Sequence, residues 1–181
     1  MTKKRILKIH DKNFILRLFR ITDKEQLELF FEQASDKMKK TFSHRLFSYE
    51  IEDIIRDGEE NKLRRVIVLN DKGIVGYCVI VLGLRKWERE RYCEKFDENK
   101  VCTIAPCIKD EFQNIGVGTE MIKYVFNIVK FYNKSVILLW GGVALKNKRA
   151  IHFYEKMGFK INKKWIHPIA RVMSYDMYME I

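Results

Sequence analysis

A glycine-containing segment near the middle of the chain has the composition of a phosphate-binding loop. It reads FQNIGVGTEM over residues 112–121. Gly116 and Gly118 carry no side chain, so a ligand can approach the backbone closely there. A strand-like run from Val101 to Ile108 precedes the loop, and an amphipathic helical pattern follows it. The unpaired N–H groups of Val117 to Glu120 and the helix dipole then predict a site for phosphate or pyrophosphate.

The spacing within this loop excludes two common phosphate-binding motifs. The Walker motif requires Gly-Lys-Ser/Thr, but Thr119 follows Gly118. The dinucleotide fingerprint requires a third glycine, but Met121 stands at that position. The pattern that is present is Gln-x-x-Gly-x-Gly, and a plain glycine-containing turn remains the alternative for the loop taken alone.

A second set of spaced residues lies further along the chain. It reads Asn-x-x-Ala-x-x-x-Tyr-x-x-x-Gly-Phe and is filled by Asn147, Ala150, Tyr154, Gly158 and Phe159. Asn147 is typical of a helix N-cap, and Gly158 is typical of the residue that ends a helix. Ala150 and Tyr154 are four residues apart, so they project from the same helix face.

Hydrophobic periodicity predicts the elements that position these motifs. The first strand and helix meet at a capping box made by Thr22 and Glu25. The charged, aromatic segment 83–99 is interpreted as either a helix or a long loop. The remaining predicted elements are strands at 66–69, 74–82, 101–108 and 135–140, helices at 49–56, after Gly118 and after Asn147, and final strands from 159 and over 171–181.

Length and composition fit one folded domain of 181 residues, 47% of them hydrophobic. No apolar segment approaches the length of a membrane span, and no leader pattern follows the basic residues of 1–9, so we expect a cytoplasmic protein. The four cysteines lack CxxC spacing, and the four histidines are scattered. We therefore expect reduced, largely structural thiols and no metal.

The formal charge is 35 − 24 = +11, which favours anionic ligands. A ligand that carries several phosphate groups and nucleic acid are both candidates, and a lysine-rich solvated surface is the simplest alternative. No helix-turn-helix, zinc-finger or ribonucleoprotein motif is visible, so we do not expect a nucleic-acid partner.

The two motifs, in this order and with these spacings, resemble the GCN5-related N-acetyltransferase (GNAT) superfamily. The resemblance covers residues 14–181 as an N-acetyltransferase domain and leaves 1–13 as a short N-terminal extension. It implies an α/β (α+β) fold with a central, mostly antiparallel mixed sheet. That sheet would have six to seven strands, splayed in the middle and flanked by about four helices.

The resemblance also implies an acetyl-CoA-dependent N-acetyltransferase that moves an acetyl group to a primary amine, without a metal. Backbone N–H groups from Gln113 to Thr119 would hold the pyrophosphate, and the backbone near Ile108 would bind the pantetheine. Tyr154 would be the general acid. The implied cofactor-binding residues are Ile108, Gln113, Asn114, Ile115, Gly116, Val117, Gly118, Thr119, Asn147, Ala150 and Phe153. From charge alone, Lys146, Lys148 and Arg149 are further candidates for contact with the ribose phosphate, and solvated side chains at a helix start are the alternative.

The general base does not follow from the resemblance. Many members of the superfamily use a glutamate on the strand that corresponds to Val101–Ile108, but this strand carries no carboxylate. Glu94, Asp97, Glu98 or a water chain are the candidates. This gap keeps open an acyl-CoA-binding protein without turnover and, as a third reading, a basic nucleic-acid-binding module. The acceptor amine stays open, as does the choice between monomer and homodimer.

Overall fold

The computed structural model of the chain describes residues 3–39, 63–84, 86–92, 94–167 and 171–181. The helix predicted at 49–56 lies outside the described residues. Four α-helices have both ends defined: α1 Lys24–Glu32, α2 Lys86–Tyr92, α3 Val117–Phe131 and α4 Lys148–Lys156. The strands are β1 Arg5–Ile9, β2 Lys12–Leu18, β3 Leu63–Asn70, β4 Gly73–Leu82, β5 Val101–Ile108, β6 Val136–Leu139, β7 Val143–Ala144, β8 Lys160–Ile166 and β9 Met173–Glu180.

The strands described form one mixed sheet in the order β1-β2-β3-β4-β5-β6-β9-β7, with β8 paired to β9. Strands β5 and β6 run parallel, whereas the pairs that involve β1 to β3 at one end and β7 to β9 at the other are antiparallel. The predicted fold class is confirmed. The nine strands described exceed the predicted six to seven, because β1 and the two-residue β7 were not predicted.

The chain divides into two compact units, each described here by itself. The first comprises Met1–Ile80 and Pro106–Asn127. In it, β1 forms an antiparallel hairpin with β2, and Arg5 of β1 makes an ion pair with Glu120 of α3 at 2.7 Å. The Tyr124 hydroxyl donates a hydrogen bond to the carbonyl of Lys3 at 3.1 Å. The N-terminal extension is therefore part of the packing of this unit.

The core of the first unit is built from the apolar faces of β2 and α1. Phe14, Leu27 and Phe30 are buried, as the periodicity requires. Gly76 of β4 leaves room for the side chain of Ile108, since a Cβ there would lie 2.5 Å from the Ile108 Cδ1. The strand that leads into the glycine loop is thus held by close packing.

Helix α1 begins differently from the prediction. A short 3₁₀ turn spans Ile21–Asp23, and the helix starts at Lys24, so Thr22 is not its N-cap. The carboxylate of Asp23 accepts hydrogen bonds from Arg17 at 2.6 Å and from the Arg20 N–H at 2.7 Å. Burial works to raise the pKa of Asp23, but these bonds outweigh it and lower the pKa.

The second unit comprises Val81–Ala105 and Ile128–Ile181. Its β5 and β6 are in register from Val101↔Val136 to Ile104↔Leu139, and the Trp140 N–H donates to the Ile104 carbonyl at 2.9 Å. Strand β9 pairs with β6, β7 and β8. Segment 83–99, for which the sequence left two possibilities, contains α2 and a 3₁₀ turn at Glu98–Lys100.

The chain reverses after β6 through Gly141 and Gly142, whose φ angles are +70° and +69°. A Cβ on Gly141 would lie 2.8 Å from Nε2 of His167. A Cβ on Gly142 would clash with the carbonyl oxygen of Tyr175. Both glycines are explained by this backbone conformation and by close packing inside the second unit.

Candidate functional site

The glycine loop leaves an open helix N-terminus in the first unit. Asn114 and Gly116 adopt φ angles of +63° and +96°, which turn the chain into α3. The Glu120 N–H donates to the Gly116 carbonyl at 3.1 Å as the first hydrogen bond of the helix. The N–H groups of Val117–Thr119 therefore have no acceptor within the helix. A Cβ on Gly116 would meet no atom of the described residues within 4 Å, so this side of the loop is open.

Gln113 ties the loop to the end of β5. Its side-chain Nε2 donates to the Ile108 carbonyl at 2.8 Å, and its backbone N–H donates to the Asp110 carbonyl at 3.2 Å. The sequence-based expectation of available N–H groups was therefore too broad at both ends, because those of Gln113 and Glu120 already have acceptors inside the protein. The three between Gly116 and Glu120 are the ones that helix geometry frees.

The one acidic side chain in the first turn of α3 is neutralised by two basic side chains, which favours an anion at this helix N-terminus. Glu120 is the acidic residue of the first turn, and a carboxylate there would compete with a bound phosphate. Arg5 and Lys123 neutralise it through contacts of 2.7 Å and 2.8 Å. The helix dipole and the free N–H groups are thus left to act on a ligand.

In the second unit, the motif that runs from Asn147 to Phe159 determines where helix α4 begins and ends. The Asn147 side-chain oxygen accepts a hydrogen bond from the Ala150 N–H at 3.2 Å, which confirms the predicted N-cap. Gly158 has a φ of +98° just beyond the helix. The N–H groups of Gly158 and Phe159 donate to the carbonyls of Glu155 and Tyr154, each at 2.9 Å, which is the Schellman arrangement.

Aromatic contacts hold Tyr154 on this helix. Its half-buried ring packs edge-on against Phe159 at 5.4 Å and against Phe153 at 5.2 Å, measured between ring centroids. Such pairs add about 0.5–1.5 kcal/mol beyond the area they bury. Ala150 and Phe153 are half-buried on the same helix. The motif thus produces a rigid helix that carries one oriented phenol.

The structure also brings a carboxylate to β5 that sequence reasoning missed. Glu88 of α2 is 2% exposed, and its Oε2 accepts a hydrogen bond from Thr103 Oγ1 at 3.0 Å. Thr103 belongs to β5 and is fully buried. A neighbouring helix therefore places a buried carboxylate against a strand that carries none of its own. Its spacing to Arg91 and Tyr92 was the available signal, since all three share one helix face.

The three carboxylates proposed from the sequence have other surroundings. Glu94 is exposed, and Asp97 accepts a hydrogen bond from the Asn99 N–H at 2.9 Å at the start of a 3₁₀ turn. Glu98 pairs with Arg89 at 2.5 Å, with both side chains well exposed. None of the three is buried as Glu88 is.

Other classes of site find no support in the part of the chain that the structure describes. There, no group of three or more His, Cys, Asp or Glu side chains could hold a metal ion. Cys78, Cys102 and Cys107 are buried thiols, in agreement with the expected structural role. No helix among the described residues is both long enough and apolar enough to cross a membrane.

The mixed sheet, in which strand β5 leads through a glycine loop into helix α3, places the chain in the α/β class, with an open helix N-terminus after the loop. A family model described as the acetyltransferase (GNAT) domain matches residues 62–161, which is more than half of the chain. The chain belongs to the GNAT family of acetyltransferases.

Individual similar proteins agree with this assignment. An uncharacterized N-acetyltransferase of Methanocaldococcus jannaschii is 31% identical over 68 residues, which cover 36% of this chain and 29% of that protein. The GNAT domain of S. lividans PAT superposes with a TM-score of 0.76 at 12% identity, covering 98% of this chain and 97% of that one. AAC(6')-Ib in complex with ribostamycin and coenzyme A superposes with a TM-score of 0.71 at 15% identity, covering 92% and 93%. At these identities the two solved structures show a shared fold.

Proposed function

We propose that this protein is an acetyl-CoA-dependent N-acetyltransferase that moves an acetyl group to a primary amine. The observation that carries the proposal is the open N-terminus of α3, with its N–H groups at Val117–Thr119 and the unobstructed face of Gly116. Such a helix start is suited to a pyrophosphate. Family membership supports the reaction class, and the coenzyme A complex of AAC(6')-Ib supports the ligand.

In this proposal the two sequence motifs supply the contacts to acetyl-CoA. The N–H groups that open α3 bind the pyrophosphate, and the backbone near Ile108 bonds the pantetheine. The Asn147 amide group and one face of α4 are assigned to the remaining contacts. The complete assigned set is Ile108, Gln113, Asn114, Ile115, Gly116, Val117, Gly118, Thr119, Asn147, Ala150 and Phe153, with Gln113 acting by holding the loop.

Two proton transfers are assigned to side chains of the second unit. Acetyl-CoA supplies an activated thioester. As the amine nitrogen bonds to the acetyl carbon and the carbon–sulfur bond breaks, the nitrogen must lose a proton and the sulfur must gain one. We assign the first proton to the carboxylate of Glu88 and the second to the phenol of Tyr154. Neither step requires a metal.

A pair of glycine variants tests the cofactor site. Gly116 and Gly73 have similar φ angles of +96° and +105°, so alanine strains the backbone in both, by about 1–2 kcal/mol. We expect similar losses of thermal stability in Gly116→Ala and Gly73→Ala. Only Gly116→Ala should also lose most of the stabilisation that acetyl-CoA gives, because its methyl group enters the space assigned to the pyrophosphate. Gly118→Val should likewise lose the stabilisation by acetyl-CoA while staying folded.

Thermal unfolding with and without acetyl-CoA is the measurement. A folded Gly116→Ala variant that keeps the full wild-type shift would remove this loop as the cofactor site. If Gly73→Ala loses the shift to the same extent, the effect belongs to backbone strain and not to the loop.

Thiol release with a panel of amines tests turnover. The panel should contain a polyamine, an aminoglycoside and a peptide with a free N-terminus. Acetyl-CoA binding with amine-dependent thiol release supports the proposed enzyme. Binding without release by any amine favours the alternative of an acyl-CoA-binding protein without turnover. Absence of acetyl-CoA binding, together with retention on nucleic acid, favours the basic binding module.

A further inference from the structure

Helix α2 places two charged side chains inside the second unit, beside Tyr92 of its hydrophobic core. Its inward side chains Glu88, Arg91 and Tyr92 follow at spacings of three and four residues. Glu88 and Tyr92 are each 2% exposed, and the Arg91 side chain is 8% exposed. Removing a carboxylate or a guanidinium from water costs on the order of several kcal/mol each, so apolar side chains would hold this helix more cheaply. A charged inner face of this kind is more typical of a functional site.

Two polar anchors from different strands hold the helix. The Glu88 carboxylate accepts its hydrogen bond from Thr103 of β5, and Arg91 Nε lies 3.0 Å from Asp176 Oδ2 of β9. Asp176 is fully buried. Trp165 of β8 adds a third contact, since the guanidinium carbon of Arg91 lies 3.7 Å from its ring centroid. The position of Glu88 therefore depends on contacts that its neighbour Arg91 makes with two other strands.

The cluster contains more acidic than basic side chains. Glu88 and Asp176 are two carboxylates, and Arg91 is the cation that lies between β9 and the Trp165 ring. Arg91 is engaged with Asp176, whereas Glu88 is bonded to the hydroxyl of Thr103. The Arg91–Asp176 pair thus places a positive charge on the helix face that carries Glu88, with the negative charge of Asp176 next to it on β9.

We propose that Arg91 and Asp176 form a positioning pair for Glu88. The pair fixes α2 so that the Glu88 carboxylate stays against β5, and it sets the charge that this carboxylate meets when it takes a proton from the acceptor amine. The inference rests on the function proposed above. Arg91 and Asp176 are positioning residues, since they act through Glu88.

Burial favours the uncharged forms of three other titratable groups around the cluster, Tyr92, Cys102 and His167. Burial raises the pKa of Tyr92, which interacts with Asp176 and Glu88, and raises the pKa of Cys102, beside Glu88, to about 12. Burial lowers the pKa of His167, which faces Arg91. Burial also raises the pKa of Asp176, while Arg91 and Lys163 act in the opposite direction. Lys134 is a further cation that acts on Cys102.

The test is the pH dependence of kcat/KM with the best acceptor. Arg91→Gln removes the cation and leaves two buried carboxylates, so Glu88 becomes harder to ionise and the acid limb moves to higher pH. Asp176→Asn frees the charge of Arg91 to favour ionised Glu88, so the acid limb moves to lower pH. We expect shifts of about one pH unit in opposite directions. We also expect kcat to fall by about 10- to 100-fold in both variants through loss of position.

Three comparison variants separate charge from position. Arg91→Lys keeps the charge but loses the planar stack on Trp165, so the acid limb should stay in place while kcat falls. Arg89→Gln on the exposed side of the same helix should change neither quantity. Glu88→Gln should remove the acid limb, because the proposed proton acceptor is gone.

Hydrogen exchange provides a readout that does not need turnover. In Arg91→Gln and Asp176→Asn, the α2 amides should exchange faster than in wild type, whereas those of α4 and the stabilisation by acetyl-CoA should be unchanged. This result would support the positioning pair even if no amine were acetylated, so failure of the proposed function can be told apart from failure of the pair. Unchanged protection of α2 would overturn the inference.

The kinetic outcomes that overturn the inference are equally defined. Acid limbs that move in the same direction, or do not move, in folded single variants would contradict it. If a single variant does not fold, Arg91→Leu combined with Asp176→Leu removes both charges at once and avoids an unpaired buried ion. That double variant should keep the wild-type acid limb with a lowered kcat, and a wild-type kcat in it would overturn the inference.

Discussion

Neighbouring residues hold the side chain of Tyr154 in a defined orientation. Its ring is fixed by Phe153 and Phe159, and its carbonyl accepts the hydrogen bond from Phe159 that closes helix α4. A tyrosine held in this way loses little conformational freedom when it donates a proton.

Removing only the phenol oxygen of Tyr154 tests its proposed role as general acid. Tyr154→Phe keeps the ring and its aromatic contacts, so the affinity for acetyl-CoA should be nearly unchanged. Turnover should fall by about 10²- to 10⁴-fold, the usual contribution of general acid–base catalysis. Steady-state thiol release and calorimetric binding of acetyl-CoA are the two measurements.

Tyr132→Phe is the matched control, because Tyr132 is a half-buried tyrosine just after α3 that packs edge-on against Phe131. It should leave turnover and affinity unchanged. Wild-type turnover in Tyr154→Phe would mean that the thiolate leaves without this acid. A large loss of acetyl-CoA affinity would instead make Tyr154 a binding residue.

At the scale of elements, helix α4 shows how one residue can serve both folding and binding. The Asn147 oxygen is engaged in capping the Ala150 N–H, which leaves the amide NH₂ group as the part that could reach a ligand. These two functions use different atoms of the same side chain. They can be separated by substitution.

Two substitutions of Asn147 make this separation. Asn147→Ala removes the cap and should cost about 1 kcal/mol of stability. Asn147→Asp keeps a capping oxygen and should restore stability, since a negative charge is also favourable at a helix N-terminus. If the NH₂ group contacts acetyl-CoA, both variants should bind it more weakly than wild type. Urea unfolding and calorimetry measure the two effects, and wild-type affinity in Asn147→Asp would exclude the amide contact.

Element boundaries that depend on local patterns were well predicted. Strand β5 spans the predicted Val101–Ile108, and the helix after Asn147 begins and ends where the cap signals place it. Helix α2 was left undecided because its inward residues are charged, so hydrophobic periodicity gives no signal. The predicted start of α1 was wrong by one residue, since Asp23, which bonds to Arg17 and Arg20, stands at the N-cap instead of Thr22.

At the scale of the whole molecule, the charge of +11 should contribute to the capture of a polyanionic ligand. We expect the affinity for acetyl-CoA to fall as salt rises. Lys148 and Arg149 are both exposed at the start of α4, and they are the residues assigned to the ribose phosphate. Two effects are therefore expected: attraction of the ligand by the net charge of the protein, and a local contact of Lys148 and Arg149 with the ribose phosphate.

Charge reversal at these positions distinguishes the two effects. Lys148→Glu combined with Arg149→Glu should weaken coenzyme A more than dephospho-coenzyme A, because only the former carries the ribose phosphate. Lys156→Glu combined with Lys160→Glu makes the same charge change at two exposed positions, one at the last residue of α4 and one just beyond it, and should weaken both ligands slightly and equally. Calorimetric titration is the measurement. Equal losses for both ligands in the first double variant would remove the assignment.

The sequence by itself determined the features whose partners lie close along the chain. The glycine loop, the Asn147 cap and the Gly158 ending each need only a few neighbouring residues in the right order, so their spacing is visible in the sequence. Together they were sufficient to predict the family and the α/β fold class, which were confirmed.

Only the tertiary structure decided which carboxylate meets β5. Glu88 and Thr103 are separated by 15 positions, and Arg91 and Asp176 by 85. The local sequence does not show whether a charged side chain faces water or a buried partner. Its environment follows from strand pairing and helix docking over long separations, and these are determined by the packing of the whole unit rather than by local spacing.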